Sequence, residues 1–174
     1  MIRQTILFLT LTCMIATSAY AQPEELSGPR LGLTFLSPGE FTNELNSNWV
    51  TQYGWQFETR FSTGEELVGL VEWVILGGGI EKGYLLPSVS SLVGLRHSNG
   101  FEIGVGPNLS ISGIGLVLAT GYNFKLGKLN LPVNLSWVPS HNNLEEGSGE
   151  TGHRISLTFG FNMADSKTKT PPKP

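Results

Sequence analysis

Beyond residue 21 the 174-residue chain has no cysteine, since its single thiol is Cys13. A mature chain starting at that point forms no disulfide and offers neither a thiol nucleophile nor a cysteine metal ligand. Charge is also scarce, at 14% of residues, and the formal balance of −3 becomes −4 once Arg3 is removed with the leading segment. With that sign and no basic cluster to neutralise phosphates, nucleic acid is excluded as a partner. No apolar run approaches the roughly 18 residues of a spanning helix. A phosphate-binding glycine loop, a zinc motif, a nucleophile elbow and a close pair of catalytic carboxylates are missing as well. The sequence therefore points to no cofactor, no metal centre and no catalytic constellation.

What is present is an export signal followed by alternation. Arg3 supplies a positive start, Ile6 to Ile15 an apolar stretch, and Ala19-Tyr20-Ala21 an A-x-A cleavage site before Gln22. These are the parts of a secretory signal peptide, expected over residues 1–21. From about residue 101 onward, apolar and polar residues alternate with a period of two. In Arg154-Ile155-Ser156-Leu157-Thr158-Phe159-Gly160-Phe161-Asn162-Met163 every odd position is apolar and every even one is Arg, Ser, Thr, Gly or Asn. A strand sends successive side chains to opposite faces, so each such segment has one apolar and one polar face. At about ten residues the run is long enough to cross a bilayer when tilted, whereas ordinary strands average five or six.

Eight strands are expected, roughly at 30–36, 52–62, 66–77, 83–96, 100–110, 113–126, 128–138 and 152–163. Residues 22–29 are read as an N-terminal segment, 30–163 as one barrel domain and 164–174 as a disordered polar tail. The turns at Ser62-Thr63-Gly64-Glu65, His97-Ser98-Asn99-Gly100 and Gly127-Lys128 then fall on one side, and the longer segments 37–51 and 139–151 on the other. Short periplasmic turns opposite longer outer loops are the bacterial barrel pattern. Pro87, Pro107 and Pro132 interrupt the predicted strands, which calls for bulges or earlier strand ends.

The same topology sorts the aromatics. Phe61, Phe101, Phe124 and Phe161 fall at periplasmic ends, and Phe35, Tyr53, Trp55, Trp73 and Trp137 towards outer ends, all on the apolar face. Two aromatic girdles bounding an aliphatic belt are what membrane interfaces select. The opposite face is dominated by small residues, among them Gly104, Gly106, Gly113, Gly115, Ala119 and Gly121, which a narrow lumen requires. Its charges, Glu58, Arg60, Glu72, Glu102 and Arg154 with Arg96 beside them, must pair inside a low-dielectric interior.

Signal, strand count, alternation and aromatic placement together resemble the small outer-membrane β-barrel proteins, the OmpA-like or porin-like eight-strand family. The resemblance covers residues 30 to 163. It implies an all-β, antiparallel, up-and-down transmembrane barrel, with outer-membrane lipids and the barrel-assembly machinery as partners. That family ends on a strand-terminal aromatic, whereas here Phe161 is followed by Asn162-Met163 and a further eleven residues. His97-Ser98-Asn99 faintly resembles the His-x-Ser-Asn element of the outer-membrane lipid A deacylases, without the intervening position and with Glu102 too close to serve as the acid. Asn-Gly is equally a standard hairpin turn. His141 and His153, with Glu145, Glu146 and Glu150, are a weaker metal candidate in a polar loop. The expected function is a non-enzymatic outer-membrane role in envelope structure, adhesion or limited solute passage. The alternatives are a barrel-embedded lipid-modifying enzyme and a soluble lipocalin-like binder of apolar ligands.

Overall fold

The computed structural model describes residues 24–38, 40–62, 66–127, 129–140 and 152–164. The expected signal peptide, the tail beyond Ala164, and His141, Glu145, Glu146 and Glu150 lie outside the described residues. No described helix is long and apolar enough to cross a membrane. The strands are β1 (Glu24–Leu36), β2 (Trp49–Ser62), β3 (Leu67–Gly78), β4 (Leu86–His97), β5 (Phe101–Ser110), β6 (Gly113–Leu126), β7 (Leu129–Val138), β8 (Arg154–Gly160) and the short β9 (Met163–Ala164). From β1 to β8 each strand pairs antiparallel with the next, β1 closes the sheet by pairing with both β2 and β8, and β9 pairs with β1.

The closure can be followed residue by residue. Glu24 pairs with Arg60, then in turn Leu70, Gly94, Gly104, Ala119, Ser136 and Ser156, which pairs with Thr34, ten residues further along β1. Such a stagger is what closing eight strands demands, and it tilts them by roughly 35–45° from the barrel axis. A closed sheet leaves no edge and satisfies its backbone internally, the condition for strands that meet lipid.

The first strand starts at Glu24, six residues before the expected start at residue 30, so most of the supposed N-terminal segment is wall. Pro29 explains the difference. Its missing N–H interrupts only the side facing β8, while pairing with β2 runs unbroken from Glu24 to Phe35. The β8 side shows the gap: β8 pairs up to Arg30–Gly160, β9 resumes at Ser27–Met163, and the register is unchanged across the gap. β8 and β9 are therefore one interrupted strand.

Pro107 and Pro132 behave alike, with neither a bulge nor an early strand end, whereas at Pro87 the strand is shorter than expected, starting at Leu86 and pairing with β5 only from Ser88. The β4–β5 ladder lapses opposite Pro107, between Ser90–Asn108 and Val93–Val105, and resumes in register. The β7–β8 ladder stops at Val133–Phe159, short of Pro132, and an in-register bridge joins Asn130 to Asn162 beyond it. Pro107 and Pro132 each cost one local stretch of ladder and nothing more. Glycine absorbs the close approach: a Cβ on Gly106 would sit 1.7 Å from the Ser91 carbonyl oxygen, and one on Gly28 1.7 Å from that of Phe161.

One end of the barrel has short turns. At Gly100, with φ 105°, the chain reverses after a 2.9 Å hydrogen bond from the Gly100 N–H to the His97 carbonyl. Asn99 Oδ1 accepts from the Phe101 N–H at 3.0 Å, the local bonding that makes Asn-Gly a turn. The other end carries a helix, α1 (Glu40–Leu45), which the sequence pattern did not announce, and a 3₁₀ turn at Ile80–Lys82. Leu45 from α1 packs with Leu36, Val50 and Leu86 over the upper mouth. Glu81 accepts hydrogen bonds from the backbone N–H (2.7 Å) and hydroxyl of Thr51, tying the β3–β4 connection to β2.

Candidate site in the barrel lumen

Burial is inverted relative to a soluble protein. Leu157, Leu135, Ile103 and Val105 are exposed on the outside, while Arg30 and Glu58 are each 1% exposed inside. A lipocalin-like binder needs an apolar interior and a charged exterior, so this distribution rules that alternative out.

The lower half of the lumen is packed with charge. Glu58 is the hub: it accepts from Arg60 Nε at 2.5 Å, from Arg96 Nη1 and Nη2 at 2.6 and 2.9 Å, and from Asn162 Nδ2 at 3.3 Å. Arg96 also donates through Nε to Glu102 at 2.5 Å. Asn162 accepts from Arg30 at 2.7 Å, Arg30 donates to Gln56 at 2.8 Å, and Gln56 donates to Glu72 at 2.7 Å. Glu58, Glu72 and Glu102 thus balance Arg30, Arg60 and Arg96, three charges of each sign. The bidentate guanidinium–carboxylate fork is among the stronger geometries available to a buried pair.

The wall is shaped for this filling. Long side chains project from β1, β2 and β3 (Arg30, Gln56, Glu58, Glu72), and much of the facing wall on β4 to β8 is small: Gly94, Gly104, Ala119, Ser136 and Ser156. Large opposite small fills a narrow barrel without strain.

Of the residues singled out from sequence, Glu58, Arg60, Glu72 and Glu102 come together, and Arg96 joins them. Arg154 does not. It faces the lumen near the outer end and donates to Ser110 Oγ and Asn108 Oδ1, each at 2.9 Å, with no carboxylate within reach among the described residues. It belongs to the other end of its strand: β8 descends from Arg154, and the charge network lies near Asn162. Arg30 was missed because the strand was expected to begin there. Its parity with Gly32 and Thr34, opposite Leu31, Leu33 and Phe35, was the available signal.

All nine girdle aromatics lie on the outer face and are exposed. Their heights differ from the expected sorting at two positions, the first being Trp55 in the middle of β2. Trp73 sits in the middle of β3, paired with Phe57, and not towards the outer end. Trp49, Phe57, Tyr122 and Phe159 are further outward aromatics that the pattern did not single out.

His97 and Ser98 are exposed in a turn at the short-turn end of the barrel, 3.5 Å apart, and His97 Nδ1 also accepts from the Asn99 N–H at 3.2 Å. Glu102 lies inside, engaged with Arg96, so no His–carboxylate pair forms there. At the other end His153 stacks on Trp137 and accepts from the Ser140 N–H. Among the described residues no three His, Cys, Asp or Glu side chains gather into a metal-binding group.

A closed eight-strand antiparallel barrel with an apolar exterior and a polar interior is a small transmembrane β-barrel of the outer-membrane type. No protein-family model and no curated protein matches the sequence. Among solved structures the chain is similar to the crystal structure of Neisserial surface protein A at 10% identity, covering 82% of this chain and 99% of that one with TM-score 0.48. It is also similar to a chain from the de novo design of transmembrane beta-barrels at 13% identity, covering 82% and 96% with TM-score 0.44. A second such design, TMB2.3, solved by solution NMR, shares 10% identity over 82% and 95% with TM-score 0.42.

Proposed function

We propose that the protein is a non-enzymatic integral outer-membrane barrel, reached by export through a cleaved signal peptide. It would serve envelope structure, surface adhesion or limited solute passage. The observation that carries this reading is the balanced plug around Glu58. It fills the lower lumen with hydrogen-bonded side chains, and eight strands leave no room for a wide aqueous channel around them. The reading against enzymatic work rests on the turn residues. Among the described residues no carboxylate hydrogen-bonds to His97 or Ser98, and Glu102 is committed to Arg96.

Fractionation tests the location. The mature protein should begin at Gln22, remain with outer membranes after a carbonate wash, and migrate differently when boiled and unboiled. In planar bilayers it should give no porin-sized conductance, and its overproduction should leave lipid A acylation unchanged. Recovery in the soluble periplasm would sink the membrane reading. A lost or gained acyl chain on lipid A would turn the assignment to a lipid-modifying enzyme.

A further inference from the structure

The outer half of the lumen differs from the plug beneath it. Its only charge among the described residues is Arg154, and two of the five guanidinium N–H donors are taken by neutral acceptors, Ser110 and Asn108. All three lumen carboxylates are already matched by Arg30, Arg60 and Arg96 below. Among the described residues the outer chamber therefore carries one uncompensated positive charge.

That charge borders open space. Two cavities of about 40 Å³ each meet at Thr34, Gln52, Ser88 and Arg154. One is lined by hydroxyls and amides, including Ser90, Asn108 and Ser156, together with Leu76, Val117 and Val138. The other has an apolar wall of Leu36, Val50 and Leu86, the cluster that α1 covers with Leu45. Gln52 Oε1 is buried in the same chamber without a hydrogen-bond partner among the described residues.

We infer that this chamber is a binding site for a short-chain monocarboxylate. The carboxylate accepts from the free edge of the Arg154 guanidinium, a planar fork matched to that group. The rotatable hydroxyls of Thr34 and Ser88 complete its coordination. Two or three carbons of alkyl chain lie against Leu36, Val50 and Leu86. One guanidinium balances one negative charge, so a monoanion fits the chamber where a phosphate dianion would remain half compensated. The site depends on the barrel and on its outer end, and holds whether or not the plug below admits ions.

The test is a titration of sodium butyrate into the refolded, ¹⁵N-labelled mature protein in chloride-free micelles, read at the arginine Nε–H resonances and at the backbone amides of Ser110, Ile111 and Ser112. The Arg154 resonance should shift saturably while those of Arg30 and Arg96 stay in place. Arg154→Gln should weaken binding at least about tenfold, the scale of one hydrogen bond to a charged group. Ser88→Leu, which fills the chamber and keeps the arginine, should abolish it, and Lys125→Gln, exposed at the opposite end of the barrel, should leave it unchanged. The amide dispersion of each variant reports the barrel separately, so lost binding in a folded barrel bears on the site alone. No saturable shift at Arg154, undiminished binding in Ser88→Leu, or equal affinity for chloride and butyrate would each overturn the assignment.

Discussion

Glu58→Ala should cost the folded barrel about 3–5 kcal/mol, the usual penalty for removing one partner of a buried charge network. Glu58 receives four hydrogen bonds, and its removal leaves Arg60 with only a 3.5 Å contact to Glu24 on the exposed end of β1. Arg96 keeps Glu102, so the loss falls on the charge balance: three guanidiniums would face two carboxylates in a space closed to water on most sides. Equilibrium urea unfolding in phospholipid vesicles, followed by tryptophan emission, measures the effect. Adding Arg60→Met to Glu58→Ala restores the balance, leaves the Arg96–Glu102 pair in place and should return part of the stability, because removing both partners of a buried pair is often tolerated. A Glu58→Ala barrel within about 0.5 kcal/mol of the parent, the range of an ordinary surface change, would mean that the interior is open to solvent.

Arginine at Leu157 or Leu135 should cost about 2–4 kcal/mol, the scale for a cation on the lipid face near mid-membrane. The two residues pair across β7 and β8, are 49% and 47% exposed, and lie several residues from either end of the wall. The same substitution at His97, at the rim end of β4, should cost no more than about 1 kcal/mol, because depth sets the penalty. The same vesicle-based unfolding assay reads all three. A negligible cost at Leu157 would place that face in water.

Much of the wall was legible because alternation carries two facts at once, strand and face. The faces of Leu131, Leu135, Leu157 and Phe159 outside, and of Glu102, Asn134 and Ser156 inside, follow from parity alone and are those observed. The prolines obscured more than they should have. A proline reads as a strand breaker, but in an antiparallel wall its missing N–H affects one neighbour only, so Pro29 hid six residues of β1 that pair without interruption on the other side. The short helix α1 has too few residues to display a period, and its anchoring leucine, Leu45, is recognisable only once Leu36 and Val50 are brought beside it. The split of the lumen into a neutralised lower half and a singly charged outer half was hidden for a different reason. Parity tells which way Arg154 points but not at what height it meets other strands, and that height is set by the ten-residue stagger of the closed sheet.

The central claim is a barrel with lipid outside and a polar filling inside, and a cysteine scan of residues 154–161 with a nitroxide label tests it most directly. Accessibility to oxygen in lipid vesicles should oscillate with a period of two, high at 155, 157, 159 and 161 and low at the even positions. A flat profile, or one with even positions in contact with lipid, would contradict the strand register and with it the barrel.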